Sequence, residues 1–387
     1  MARVKAGTDV LLQLKSEILR GRRVGLITNQ TGVTCDLQPL AMALAKMDKT
    51  RLVALFGPEH GYAGPAPDAV PVDSGKDRTS ALPIYSLYGK TQKPTREMLE
   101  GIEVLIFDIQ DAGVRFYTYV QTMSLAMEAA SEKGVRFVVL DRPNPLTGAV
   151  VEGNVLDATF SSFLGRYPIA LRHGMTVGEL AKLFNEHFQI NADLSVVEMT
   201  GWRREMWYDD TALVWVPPSP SMPSLGTAIV YPGTCLLEGT NVSEGRGTTL
   251  PFELIGAPWI DGEQLAGRLR GMKLEGCLVR SAEFIPLTAK YRGERCRGIQ
   301  VHVTERNLFK PVKFGLTLIS AIRDLYSNHF DWILDESSQR FHFDLLMGTD
   351  KVRGGLESGR SLSEIFEEWN DDLIKFKKIR REFLLYP

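Results

Sequence analysis

The 387-residue chain has little of several things that would have simplified its reading. It has four cysteines, Cys35, Cys235, Cys277 and Cys296, scattered far apart without a CxxC or Cys/His ligand spacing. A zinc site built from them is not expected, and free, largely buried thiols are. No apolar run approaches the roughly 20 residues that cross a bilayer. Charge of one sign is lacking too: the formal net charge is −2 and the basic residues are dispersed. The densest basic run, Lys375 to Arg381, reads as the solvated face of a terminal helix, so no nucleic-acid partner is expected. The N-terminus, Met1 to Leu19, alternates apolar and charged residues like an amphipathic helix rather than a signal peptide. The sequence as written reads as cytoplasmic, or as periplasmic or secreted after loss of a leader.

Familiar catalytic signatures are also missing. No GxGxxG follows the first strand, which weakens a nicotinamide-dependent reading, and there is no GxxxxGK[ST] phosphate loop and no GxSxG nucleophile elbow. His173, His187 and His302 have no ligand spacing, so no metal and no cofactor are expected.

What is present is a rhythm. Short apolar runs at Val24–Thr28, Leu52–Phe56, Val104–Asp108 and Phe137–Asp141 lack strict alternation, as strands covered on both faces do. Helical stretches separate them over Leu37–Met47, Thr95–Leu99 and Tyr119–Lys133. Gly101 and Gly134 act as stops. Strand alternating with helix predicts an α/β fold, a Rossmann-like doubly wound parallel sheet. Leu82–Tyr88 predicts an extra strand or arm, and Thr176–Phe188 a further helix. The proline-dense segment Pro217–Pro223 predicts a connector. The chain is therefore divided into an N-terminal Rossmann-like domain, 1–228, and a smaller C-terminal α/β domain, 229–387.

In a parallel sheet the segments after the strands share one edge, where open α/β folds bind ligands. Those segments are Thr28-Asn29-Gln30-Thr31-Gly32, Gly57-Pro58-Glu59-His60-Gly61, Asp108 to Tyr117, and Asp141-Arg142-Pro143-Asn144-Pro145. All four are polar. Glu59, beside a proline and between glycines, suits general acid/base work, against the alternative of a cap or an ion pair. His60 fits a hydrogen-bonding or supporting role. Asp108 and Asp111 are candidates for a second carboxylate, with a structural ion pair to Arg115 as the competing reading. Tyr117 fits a sugar face or the core, and Asn29 and Asn144 fit polar contacts to a substrate. Arg142 fits an anionic substituent. In the second half, Glu238, Asn241, Glu244 and Arg246 stand among Gly239, Gly245 and Gly247, and predict a loop closing over the first domain's crevice. Hydrolysis by carboxylates is the chemistry left standing. The competing class is a non-catalytic sugar- or nucleotide-binding protein on the same frame.

Longer motifs carry a resemblance. Gly25–Gly32, Phe56–Gly61, Asp108–Tyr117 and Asp141–Pro145 resemble the exo-β-N-acetylmuramidase family NamZ. The match continues through Val151-Glu-Gly-Asn154, Leu237–Asn241, Ser243–Thr248, Pro251–Trp259 and Phe383–Tyr386. Ala63 is a departure, standing where the family pattern has an arginine and removing a positive group. The resemblance implies release of N-acetylmuramic acid from the non-reducing end of peptidoglycan fragments, without a metal. It implies a Rossmann-type domain and a smaller α/β domain with the site in the cleft between them, and it assigns Glu59 as catalytic. It leaves the second group open between Asp108, Asp111 and the substrate's own 2-acetamido group. The substrate's lactyl carboxylate asks for a cation, for which Arg142, Arg246 and Arg115 are candidates.

Overall fold

A computed structural model describes residues 3–272 and 274–387. The chain forms two compact units. One takes the residues up to Val150, His173–Pro223 and Lys378–Pro387; the other takes Val151–Arg172 and Ser224–Lys377.

The first unit is built on a seven-stranded sheet. Its strands are β1 (Arg23–Thr28), β2 (Arg51–Gly57), β3 (Gly75–Lys76), β4 (Pro83–Ser86), β5 (Val104–Asp108) and β6 (Arg136–Leu140). After β7 (Glu152–Val155) and β8 (Ala170–Arg172), an antiparallel pair of the other unit, β9 (Leu194–Val197) completes it. The order is β3-β4-β2-β1-β5-β6-β9, parallel throughout except for β3. The apolar runs became central strands because both faces are covered: every residue of β5 is buried, as are Val24 to Thr28 of β1. Val24, Leu26, Leu55, Ile106, Val138 and Leu140 pack with Val10 and Leu11 of helix α1 (Gly7–Leu14) and with Leu40 and Leu44 of α2 (Leu40–Lys46).

Helix α3 (Tyr119–Lys133) ends where Gly134 takes a left-handed φ of 69°, as its sequence predicts. Helix α4 (Val177–Glu186) starts at a capping box in which Thr176 and Glu179 bond each other's backbone. Thr95–Leu99 is a correction: the segment is a run of turns, not a helix. It is one turn long before Gly101 turns the chain at φ 73°, and so short a piece does not recover the cost of helix nucleation. Leu82–Tyr88 contributes β4, which pairs parallel to β2.

The second unit holds a three-stranded antiparallel sheet, β10 (Leu254–Ala257), β12 (Cys296–Val303) and β11 (Cys277–Phe284) in that order. Helices α5 (Leu225–Thr234), α6 (Gly262–Gly271) and α7 (Pro311–Leu325) accompany it. All four cysteines are free thiols. Among the described residues no helix is long and apolar enough to cross a membrane.

Candidate active site

The segment after β2 leaves the sheet in a conformation few sequences tolerate. Gly57 lies so close to Tyr62 that an added Cβ would come within 2.5 Å of its backbone nitrogen. His60 then adopts a left-handed φ of 68°, costly for a side chain with a Cβ. A ring hydrogen bond holds it there: Nδ1 donates to the Ala66 carbonyl at 2.8 Å, and Ala66 N–H returns a bond to the His60 carbonyl at 3.3 Å. The loop is thereby wound back onto its own start. The backbone N–H of Ala69 reaches Glu59 Oε1 at 3.1 Å, and Thr118 Oγ1, just ahead of α3, donates to Glu59 Oε2 at 2.6 Å.

Glu59 is half-buried, and its charge is felt by three phenols. Burial pushes Tyr88, Tyr117 and Tyr119 up, and the Glu59 carboxylate adds to each. Tyr88 is also hydrogen-bonded to Glu59, and Tyr117 to Ser219. The Tyr117 and Tyr119 rings meet edge to face at 4.9 Å. Tyr119 donates to the Pro218 carbonyl, and Gln30 Nε2 bonds the carbonyls of Pro217 (2.8 Å) and Pro218 (3.1 Å). The proline-rich segment expected to be a connector thus forms one wall of this site. Asp68, from the loop after Glu59, accepts a bond from Ser221 Oγ at 3.1 Å and stands 3.7 Å from His60 Nε2. Asp68, Tyr88, Thr118, Ser219 and Ser221 escaped the sequence reading. A threonine just ahead of a helix was the one legible signal among them.

The loops after β5 and β6 are different. Asp108 is fully buried and gripped by Arg142, with Nε to Oδ1 at 2.6 Å and Nη2 to Oδ2 at 3.0 Å, while Thr8 Oγ1 donates to Oδ2 at 2.9 Å. Arg142 Nη2 also bonds the Val33 carbonyl at 3.0 Å. Burial alone would lower the Arg142 pKa; the charge and hydrogen bonds of Asp108 outweigh it and raise it. The geometry of Asp108 is that of a structural ion pair, made with Arg142 rather than Arg115. Asp111 is buried, and burial lifts its pKa to about 7 against the pull of the Gly113 and Ala112 amides. Its Oδ2 accepts from Gly113 N–H at 2.6 Å and lies 3.7 Å from His173 Nε2. Because His173 Nδ1 accepts the Met175 amide (3.1 Å), the proton of a neutral ring sits on Nε2 and points at Asp111. Gly113, at φ 80°, admits Asn144, whose Oδ1 would lie 2.5 Å from any added Cβ. Asn144 also bonds Leu146 N–H and the Met175 carbonyl, both at 2.9 Å. Asn29 Oδ1 folds its own turn by accepting from Thr31 N–H (2.9 Å) and Oγ1 (2.6 Å). Arg115 is fully buried, and burial lowers its pKa to about 9.

The switch point of the sheet lies between β1 and β5, where doubly wound folds hold dinucleotides. The cavity there, lined by Thr31, Gln110 and Arg142 among others, measures about 20 Å³. That is room for one water, not for a nucleotide.

In the second unit, Arg246 bonds Glu238 Oε1 through Nε (3.0 Å) and Nη2 (2.6 Å) and lies over the Phe252 ring at 4.8 Å. Burial alone would raise Glu238, but Arg246 and His342 outweigh it and hold the carboxyl well below the usual range. Glu244 is buried and accepts from Lys290 Nζ at 3.0 Å. The same Nζ donates to the carbonyls of Leu237 (2.9 Å) and Val242 (3.0 Å). Asn241 pins the loop to the His329 carbonyl (2.7 Å) and the Asp331 amide (3.0 Å). Glu238, Asn241, Glu244 and Arg246 are therefore brought together, around a lysine that the sequence reading missed. Among the described residues no group of acidic, histidine and cysteine side chains is arranged to hold a metal ion.

Two family models match: "Exo-beta-N-acetylmuramidase NamZ, N-terminal" over residues 24–226 and its C-terminal counterpart over residues 229–386. The chain is 48% identical over 384 residues to the peptidoglycan beta-N-acetylmuramidase NamZ of Bacillus subtilis (strain 168), covering 99% of this chain and 92% of that protein. Two crystal structures of DUF1343 family proteins from Bacteroides fragilis NCTC 9343 share the fold. One is 36% identical with a TM-score of 0.92, covering 100% of both chains. The other is 30% identical with a TM-score of 0.77, covering 100% of this chain and 99% of that one.

Proposed function

Because the chain belongs to the exo-β-N-acetylmuramidase NamZ family, we propose that it is an exo-acting glycosidase releasing N-acetylmuramic acid from the non-reducing end of peptidoglycan fragments, with Glu59 as the acid. The near full-length identity to a peptidoglycan beta-N-acetylmuramidase supports the activity. The observation that supports Glu59 is its setting: a half-buried carboxylate, held by Thr118 and the Ala69 amide, whose charge helps to raise the Tyr88 and Tyr117 phenols beside it.

A glycosidase must protonate a poor leaving group as the bond to the sugar breaks and positive charge builds at the anomeric carbon. Glu59 supplies that proton, and Thr118 and the Ala69 amide hold its carboxyl group in place. The Tyr117 and Tyr119 rings, buried and packed edge to face on each other, support the loop of Glu59 from behind. Asp108 and Arg142 are withdrawn from direct contact in this reading, since each is committed to the other.

The test is incubation with a disaccharide bearing N-acetylmuramic acid at its non-reducing end, beside the matching N,N′-diacetylchitobiose. Free N-acetylmuramic acid released from the first, with little cleavage of the second, is expected. Binding of the muramyl disaccharide without turnover would overturn the reading in favour of a saccharide-binding protein.

A further inference from the structure

The second unit carries a hollow that the Glu59 chemistry does not involve. Helices α8 (His342–Met347), α9 (Lys351–Glu357), α10 (Leu362–Glu367) and α11 (Asn370–Arg381) follow α7. The end of β7 is stitched to the turn between α8 and α9. Asp157 N–H donates to the Gly348 carbonyl at 2.9 Å, and Asn154 Nδ2 to that of Met347 at 2.7 Å. Between this seam and the α10–α11 corner lies a space of about 480 Å³, large enough for a small ligand rather than a single water. Asp157, Lys351, Glu368, Trp369 and Asp372 line it, and all five belong to the second unit.

Each carboxylate there already has a basic neighbour. Arg360 donates to Glu368 Oε1 at 2.6 Å, and Lys375 to Asp372 Oδ1 at 3.0 Å. Asp157 Oδ1 accepts from Thr159 N–H (2.9 Å) and Oγ1 (2.8 Å); these bonds, and then the charge of Lys351, hold its carboxyl below the usual carboxylate range. A cation is therefore not called for. With three carboxylates against one lysine on its wall, the hollow also disfavours an added anion such as a lactyl carboxylate. What is left over is hydrogen-bonding capacity. Among the described residues, Asp157 Oδ2, Glu368 Oε2 and Asp372 Oδ2 have no donor, and Lys351 Nζ and the Trp369 indole N–H have no acceptor. Trp369 is half-buried, its ring steadied by that of Phe366 at 5.1 Å. Open donors and acceptors around a half-exposed aromatic match a neutral sugar, which offers hydroxyls and amides to the polar groups and a C–H face to the ring.

We propose that this hollow is a second saccharide-binding site, one that takes a neutral N-acetylhexosamine. The choice of sugar rests on the peptidoglycan reading above, N-acetylglucosamine being the neutral sugar of that polymer. The sugar ring stacks on Trp369, and its hydroxyls donate to the open oxygens of Asp157 and Asp372. The gain falls on long fragments, since holding one sugar of a chain raises the local concentration of the rest. Trp369 is then a binding residue with no part in bond cleavage.

The experiment titrates tri-N-acetylchitotriose, which carries no muramic acid, into the wild-type protein, Trp369→Ala and Asp372→Ala by calorimetry. Cleavage of the muramyl disaccharide is followed in the same three proteins. The wild type is expected to bind the trisaccharide with a Kd of about 1 mM or tighter. W369A should lose about tenfold in affinity, and D372A about 2- to 10-fold. Both variants should cleave the disaccharide at near-wild-type rates. Asp372 is exposed, so D372A carries the comparison if W369A folds poorly. No heat of binding in the wild type up to about 10 mM, or an affinity unchanged in every folded variant, would overturn the site. Trisaccharide binding that weakens in the variants, in a wild-type protein that leaves the muramyl disaccharide uncleaved, would instead overturn the muramidase reading and leave the saccharide site standing.

Discussion

Two stretches of one sheet edge carry the same residue types and put them to opposite uses. After β5 and β6, Asp108, Asp111, Asp141 and Arg142 are all buried. Asp108 is locked to Arg142, and Asp141 accepts from Thr176 Oγ1 (2.7 Å), Gly178 N–H (2.8 Å) and Tyr386. After β2, Glu59 and Asp68 keep exposed surface; Glu59 accepts from Thr118 and the Ala69 amide, and Asp68 from Ser221. Buried carboxylates with several donors fasten loops together; those that retain access to water are available for chemistry. The comparison teaches that a polar loop at a strand end is only a candidate. Burial decides between cement and catalyst.

The comparison breaks most visibly if the cement is dispensable. Arg142→Ala leaves Asp108 charged and buried without its partner, and should cost about 3–5 kcal/mol of stability, read by urea unfolding. A stable R142A protein that had lost only its discrimination for the lactyl group would restore Arg142 as a substrate contact. Lys290→Met should cost about 3 kcal/mol, because Glu244 and three carbonyls of one loop converge on that ammonium.

Asp111 sharpens the comparison through pH. Its pKa is raised on folding, from the ordinary aspartate value of 3.8 to about 7, so between those values the folded protein holds a proton that the unfolded chain has lost. Stability contributed by the protonated form is therefore complete at low pH and falls as pH rises toward 7. Asp111→Asn should remove that decline, measured as the difference between variant and wild-type unfolding free energies from pH 4 to 7.5. A parallel pair of curves would mean that Asp111 is charged throughout. The smallest effect is expected at the C-terminus: Tyr386→Phe deprives Asp141 and the Met199 amide of one hydroxyl, for about 1–3 kcal/mol in the same assay.

Much of the scaffold was legible because its signals are local. The four strands, α3 with its Gly134 stop and α4 with its Thr176 cap follow from periodicity and end chemistry, and Thr95–Leu99 failed because a helix-start signal does not guarantee enough length to follow. Glu59 was legible as a carboxylate set between glycines at a strand end. Asp68 was not: it sits in a Pro/Ala-rich coil with no periodicity. It meets His60 because His60 and Gly61, at φ 68° and 80°, reverse the chain. The Asp108–Arg142 pair and the Glu244–Lys290 pair span 34 and 46 residues, and no local pattern announces such partners.

The central claim is that Glu59, not the buried carboxylates beyond β5 and β6, protonates the leaving sugar. The most direct test is kcat/KM of Glu59→Gln on the muramyl disaccharide. The account predicts a loss of about 10²–10⁴-fold with an unchanged unfolding midpoint. Turnover close to wild type would contradict it.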